Sequence, residues 1–231
     1  MTRALVRRAS VAAALLRPTL RSLPWPLFAA GWGLGLAIAA VPVLFSTELP
    51  APLLVNVVRA AALCGAVGMA FVLDDPARHT TGVPPVPRPL RQALRVVVVW
   101  LMGAVWWTAV LGVVRAGADT ASWAGLPVGP VTVEAGALSG LALALAGAVV
   151  RFSGTRAPGP AVAGAALALP VGAAALLPPR FALFVSPSDP GWADAHVLWA
   201  GILITALGTW ALCGPEPRRR LGGRFRRGGG G

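Results

Sequence analysis

Few residues in this 231-residue chain have side chains that could do chemistry. The sequence contains no Lys, so it cannot form the Gly-x-x-x-x-Gly-Lys-Ser/Thr loop that binds nucleotide phosphates. Long apolar runs separate His79 from His196, which lie on opposite membrane faces in the topology predicted below and cannot share a metal. Cys64 and Cys213 lie inside apolar runs and indicate packing. We therefore predict no catalytic residue, metal site, cofactor or enzymatic activity in this chain.

The acidic pair Asp74-Asp75 has two interpretations. Enzymes that bind lipid diphosphates through magnesium use such pairs, but they need further acids on the same face, and only Glu216 is available here. The alternative is a helix start, in which an Asp caps the first amide groups and Pro76 takes the first helical position.

Four residues in apolar runs are candidates for a transport pathway or gate. Arg59 and Glu134 lie near the ends of two runs and either extend to the membrane surface or form a pair that closes one side of a pathway. Trp106 and Trp107 fall near the middle of another run. They either pack between helices or form an aromatic wall for an amphipathic cargo.

The elements that position these residues are apolar segments of bilayer length. The chain is 56% hydrophobic and 12% charged, so lipid must be the solvent for much of it. We predict an all-α polytopic membrane protein with six transmembrane helices, at approximately 26–46, 52–73, 96–114, 131–150, 160–179 and 196–213. The fifth contains Pro170, which predicts a kink or a partly re-entrant segment.

The distribution of arginine predicts the orientation of these helices. With the amino terminus inside, the inner segments hold 17 Arg and the outer segments 3. Arg-rich loops stay in the cytoplasm, so both termini are expected there, in a multi-pass protein of the plasma membrane. The net charge of +12 then indicates contacts with anionic lipids, and we expect no nucleic-acid partner.

The two ends of the chain are basic. Residues 1–24 predict an amphipathic helix on the inner leaflet or, alternatively, a disordered tail, and residues 214–231 predict a flexible cytoplasmic extension. Nothing resembles a cleaved signal peptide. On the outer side, Trp123, Trp192 and Trp199 are interpreted as membrane-interface anchors.

Several short motifs resemble a known family. The first three are the run Phe71-Val72-Leu73-Asp74-Asp75-Pro76-Ala77, the segment Pro84–Arg95 that follows it, and His196 with Trp199 at the last helix. The fourth is Pro215-Glu216-Pro217-Arg218. With six helices and both ends inside, the chain resembles permease subunits of type-2, exporter-like ABC transporters, in particular those of GC-rich actinobacteria.

This resemblance implies a dimer with an identical or related permease subunit, and a separate ATP-binding subunit. It also implies a coupling helix in the cytoplasmic loop 74–95, shortened by prolines to about residues 75–81, and short re-entrant helices within Pro179–Asp194. The residues expected to face the ATPase are Asp74, Asp75, Pro76, Arg78, His79, Arg88 and Arg91.

The expected function is export of a hydrophobic or amphipathic substrate. Two alternatives stay open. A non-transporting membrane scaffold or regulator needs only helices and a tail. A secondary transporter is disfavoured because no ionisable residue lies at the predicted midplane.

Overall fold

The computed structural model describes residues 20–21, 23–45, 48–74, 88–153, 157–178 and 181–213, with side chains except at 88–92 and 174. In these ranges the chain forms seven α-helices and no strand, which confirms the all-α prediction. In chain order they are α1 Trp25–Leu44, α2 Ala51–Ala70, α3 Arg88–Gly117, α4 Thr120–Ala124, α5 Val128–Ser153, α6 Gly159–Leu176 and α7 Trp192–Cys213.

Five helices are long and apolar enough to cross a membrane, namely α1, α2, the Ala93–Gly117 part of α3, α5 and α7. They coincide with five of the six predicted spans. The remaining span corresponds to α6, whose 18 residues extend about 27 Å at 1.5 Å per residue. Its apolar part, Gly159–Ala173, is shorter than the other five spans, and Pro170 lies within it. Its length alone does not assign α6 as a span, so the assignment rests on the directions of α5 and α7, the helices before and after it in the chain.

Two features of the helix pattern differ from the sequence prediction. Helix α3 begins at Arg88, eight residues before the predicted span at Val96, because its first turns are polar and an apolar run marks only the part in lipid. The five-residue helix α4 was not predicted. The Asp119 carboxylate caps it by accepting hydrogen bonds from the amide groups of Ala121 and Ser122, both at 2.9 Å.

Helix α2 is the centre of the bundle. It packs against α1 and α3 on one side and against α5 and α6 on the other, while α7 packs on α5. Its buried face is rich in small residues, including Ala61, Gly65 and Gly68, which let neighbouring helices approach closely. In the apolar stretch of each helix that could span a membrane, 61% of α2 is buried, compared with 11% of α7. Helix α2 can therefore transmit a displacement to most of the bundle.

Trp106 of α3 occupies a slot made by two glycines. A Cβ atom at Gly65 would lie 2.6 Å from its ring, and one at Gly35 would lie 2.7 Å from it. The indole Nε1–H donates to the Trp32 carbonyl oxygen at 2.9 Å, and the two indole rings stack with centroids 5.5 Å apart. This aromatic contact fixes α3 against α1 and α2.

Candidate functional site

A buried ion pair joins α2 to α5. Arg59 donates through Nε to Glu134 Oε2 and through Nη2 to Glu134 Oε1, each at 2.7 Å. Arg59 is 6% exposed and Glu134 is 1% exposed. A planar, bidentate contact of this kind is the strongest that a guanidinium makes with a carboxylate. Of the two interpretations of these residues, extension to the membrane surface or a pair, the structure shows the pair.

His196 of α7 is the third member of this group. Its Nε2 atom lies 3.0 Å from Glu134 Oε1, and its Nδ1 atom lies 2.7 Å from the Trp192 carbonyl oxygen. The Nε2 contact is close enough for an ion pair but lacks the geometry of a hydrogen bond, and Nε2 has no other partner among the described residues. We call Arg59, Glu134 and His196 the ion-pair cluster.

The segment between α6 and α7 covers the cluster. Arg59 Nη1 donates to the Val185 carbonyl oxygen at 2.9 Å, and the Trp199 indole donates to the Leu183 carbonyl oxygen at 2.9 Å. Phe184 packs edge-on against Trp199, with ring centroids 5.3 Å apart. These contacts attach residues 181–191 to α2 and α7. Residues 181–191 contain no α-helix, so the short re-entrant helices implied for this segment are absent from it.

Aromatic rings complete the surroundings of the guanidinium. Arg59 Cζ lies 5.5 Å from the Phe184 ring centroid and 5.6 Å from that of Trp192. Cation–π contacts of this kind compensate a buried cation for part of its lost hydration. Trp199 is 2% exposed, so its interpretation as a membrane-interface anchor was wrong; it packs inside the protein.

The three cluster residues lie in the N-terminal parts of their helices. Arg59 is about 12 Å along α2, Glu134 about 9 Å along α5 and His196 about 6 Å along α7, at 1.5 Å per residue. Their contact therefore brings the starts of α2, α5 and α7 to one end of the bundle. Ionisable groups buried at membrane depth are expensive, so a paired and covered cluster is the candidate functional site.

The opposite end of α2 contacts two other helices. Asp74 Oδ1 accepts the amide hydrogen of Gly159, the first residue of α6, at 2.9 Å. Arg95 of α3 donates to the Val72 carbonyl oxygen at 3.3 Å. Partial burial raises the pKa of the Asp74 carboxyl group above 3.8, and the hydrogen bond from Gly159 opposes this shift.

Most of the residues predicted to face the ATPase lie outside the part of the chain that the structure describes. Asp75, Pro76, Arg78 and His79 lie outside the described residues, as do the basic segments 1–19 and 214–231. Arg88 and Arg91 lie in α3, where only their backbone is described. The described residues include no group of three or more His, Cys, Asp or Glu side chains that could hold a metal ion.

The two pathway tryptophans both pack between helices. Trp106 lies in its glycine slot, and Trp107 is 8% exposed and donates to Thr132 Oγ1 of α5 at 3.0 Å. The packing interpretation therefore accounts for both rings. A cargo-lining role for them stays a prediction.

Sequence reasoning did not assign His196 or Val185 to this site. A backbone carbonyl such as that of Val185 leaves no sequence signal. His196 did leave one, because it lies at the start of the sixth predicted span, and alternating spans make the sixth parallel to the fourth, which contains Glu134 near its start. Pairing buried charges across equivalent helix ends would have identified it.

No protein-family model, curated protein or solved structure matches this chain. The geometry of the ion-pair cluster and the arrangement of the helices are therefore the basis for a functional proposal.

Proposed function

We propose that the chain crosses the membrane six times, with both termini in the cytoplasm. The packing of α7 on α5 supports this, because Gly136 faces Leu203 nearer their starts and Gly147 faces Cys213 near their ends, so the two helices are parallel. A chain with two parallel spans would have to return across the bilayer between the end of α5 and the start of α7. Helix α6 is the element available for that return. The contact between Asp74 and Gly159 supports it too, since it sets the start of α6 beside the far end of α2.

In this orientation the cluster lies near the outer surface of the plasma membrane. The support is the arginine count, with 17 arginines on the proposed inner side and 3 on the outer side. The loop between α2 and α3 is then cytoplasmic.

The proposed function is that of a permease subunit that exports a hydrophobic or amphipathic substrate and is powered by a separate ATP-binding subunit. One observation carries it: α2, the central helix, bears Arg59 of the outer cluster in its N-terminal half and leads, at its other end, toward the proposed coupling loop that follows Asp74. A force applied to that loop by a soluble ATPase would reach the cluster through a single rigid helix.

The mechanism follows from this geometry. Closure of the ATPase would displace the cytoplasmic end of α2 and with it Arg59, and would strain the bidentate contact with Glu134. The same displacement would strain the bond from Arg59 to Val185 and so loosen the 181–191 segment from α2, while the bond from Trp199 to Leu183 would keep it attached to α7. The outer end would thus alternate between two discrete states, as rigid-body switching requires.

Apolar surfaces support the choice of substrate and the presence of a second permease subunit. An open groove of about 590 Å³ lies between α5 and α7, and its lining includes Leu145, Ile202 and Thr205. Helices α3 and α7 also leave most of their surface uncovered within one chain. These faces suit lipid, an apolar cargo or an identical or related permease subunit in a dimer.

The test is purification of the tagged chain from membranes of its native host, followed by measurement of ATP hydrolysis. We expect an ATPase chain to co-purify, and to be lost when residues 75–87 are scrambled. The matched control scrambles 214–231, the other proposed cytoplasmic segment, and should retain the ATPase. An intact protein that carries no ATPase in either form would overturn the permease proposal.

A second candidate is a non-transporting membrane scaffold. It is favoured by the closure of the cluster within one chain, where Arg59 donates to Glu134 and to the Val185 carbonyl oxygen and lies over two aromatic rings. In the folded fraction of Arg59→Met, a scaffold would keep its partners, whereas a permease would lose transport.

A further inference from the structure

His196 faces a hydrogen-bond acceptor with each of its ring nitrogens. Nδ1 lies 2.7 Å from the Trp192 carbonyl oxygen, which can only accept, so Nδ1 must carry a proton. Nε2 lies 3.0 Å from Glu134 Oε1. In the neutral ring this second nitrogen would be an electron-rich acceptor held 3.0 Å from a carboxylate oxygen in a buried site, and the two would repel each other.

Two protonation states could relieve this conflict. In one, Glu134 is protonated and donates to Nε2. Arg59 argues against it, because the guanidinium donates to both oxygens of Glu134 at 2.7 Å and so favours the carboxylate. In the other, Nε2 carries a proton and His196 is an imidazolium ion, which attracts the carboxylate even where the hydrogen-bond angle is poor.

The surroundings of the ring fit a cation. The Trp192 ring lies 4.2 Å from the His196 ring, centroid to centroid, and it also faces Arg59. The charged groups around His196 are Glu134 of α5, which it contacts, and Arg59 of α2, which shares the Trp192 ring with it. The acids of its own helix and of the covering segment, Asp194 and Asp189, are exposed. Glu134 is thus the anion that balances both cations of the cluster.

We propose that His196 is a proton-binding site that fastens α7 and the 181–191 segment to α2 and α5. With the proton bound, Glu134 holds His196 and Arg59 together. When Nε2 loses its proton, the lone pair and the carboxylate repel each other, and the start of α7 separates from α5 with the segment attached to it through Trp199 and Leu183. This proposal does not depend on transport or on an ATPase.

The first experiment detects the proton on His196 Nε2 directly. His79→Gln leaves His196 as the sole histidine, so ¹⁵N-histidine labelling in lipid nanodiscs gives the NMR signals of one ring. Spectra are recorded at about pH 5 and about pH 8.5, on either side of the range in which histidine ordinarily changes charge. We expect both nitrogens to be protonated at the lower pH and Nε2 to have lost its proton at the higher. An unprotonated Nε2 at the lower pH, or a ring that does not change, would overturn the proposal.

The second experiment measures the mobility of the 181–191 segment. A nitroxide spin label is attached at Ser188→Cys, with Cys64→Ala and Cys213→Ala, and its EPR mobility is compared at the same two pH values. We expect the immobile component to be lost at the higher pH, and to be insensitive to pH in His196→Gln. A control label at Ala124→Cys, in α4 away from the cluster, should not respond. Equal mobility of the Ser188 label at both pH values would refute the fastening role.

Discussion

The ion pair between Arg59 and Glu134 gives the sharpest prediction of stability. Removing one partner of a buried pair leaves an uncompensated charge and typically costs about 3–5 kcal/mol. Arg59→Met leaves the buried Glu134 carboxylate with His196, 3.0 Å away, as its remaining partner, so we expect the lower part of this range. Glu134→Leu removes the anion that Arg59 and His196 share, so we expect the upper part.

The double variant separates the free energy of the interaction between Arg59 and Glu134 from the effects of replacing each side chain. Replacing a buried ion pair by apolar residues of similar size is often neutral or stabilising, so Arg59→Met/Glu134→Leu should cost less than Glu134→Leu alone, which leaves Arg59 unpaired. The resulting coupling free energy should be at least about 3 kcal/mol, above the average of about 0.6 kcal/mol for hydrogen bonds between membrane helices.

The assay is the free energy of unfolding in lipid bicelles, measured by steric trapping. Asp194→Asn is the matched control, because it removes an exposed carboxylate from the start of α7 and should change the free energy by less than about 0.5 kcal/mol. Single variants within 0.5 kcal/mol of the wild type, or costs that simply add, would refute the reasoning from burial.

Two further predictions concern the rest of the bundle. Gly65→Ala should destabilise the protein by about 1–3 kcal/mol, because its Cβ atom would lie 2.6 Å from the Trp106 ring, whereas Gly33→Ala has no atom within 4 Å and should be tolerated. Equal stabilities of these two variants in the same assay would contradict the packing of the Trp106 ring against Gly65. The pKa of Asp74 is raised above 3.8, so its contribution to stability should be largest below pH 3.8 and be lost as the pH rises through the raised pKa. Asp74→Asn should remove that slope from the pH profile, and an unchanged slope would show that the Asp74 carboxyl group is not its source.

The sequence predicted the parts of the fold that depend on the composition of a segment. Apolar runs marked α1, α2, α5 and α7 to within a few residues, because a helix in lipid must be apolar along its length. The start of α3 was missed since Arg88–Arg95 is polar, although its helix continues without a break into the apolar part. Helix α4 was missed because its signal is a single capping residue, Asp119.

The candidate site was predictable only in part. Arg59 and Glu134 were conspicuous because charges inside apolar runs are rare. That they form a pair depends on α2 and α5 being neighbours, which a sequence pattern of period 3.6 cannot reveal. Trp199 was misread as an interface anchor because the covering segment, with its carbonyl groups at Leu183 and Val185, has no sequence signature.

The most direct test of the account is the side of the membrane on which the cluster and the loop lie. Single cysteines at Ser188, Thr80 and Leu221, with Cys64 and Cys213 replaced by Ala, are treated in intact cells with a membrane-impermeant maleimide. Six crossings with an outer cluster predict that the cysteine at 188 reacts at once, and that those at 80 and 221 react only after permeabilisation. Reaction of the cysteines at 188 and 80 from the same side would contradict the topology and the coupling mechanism together.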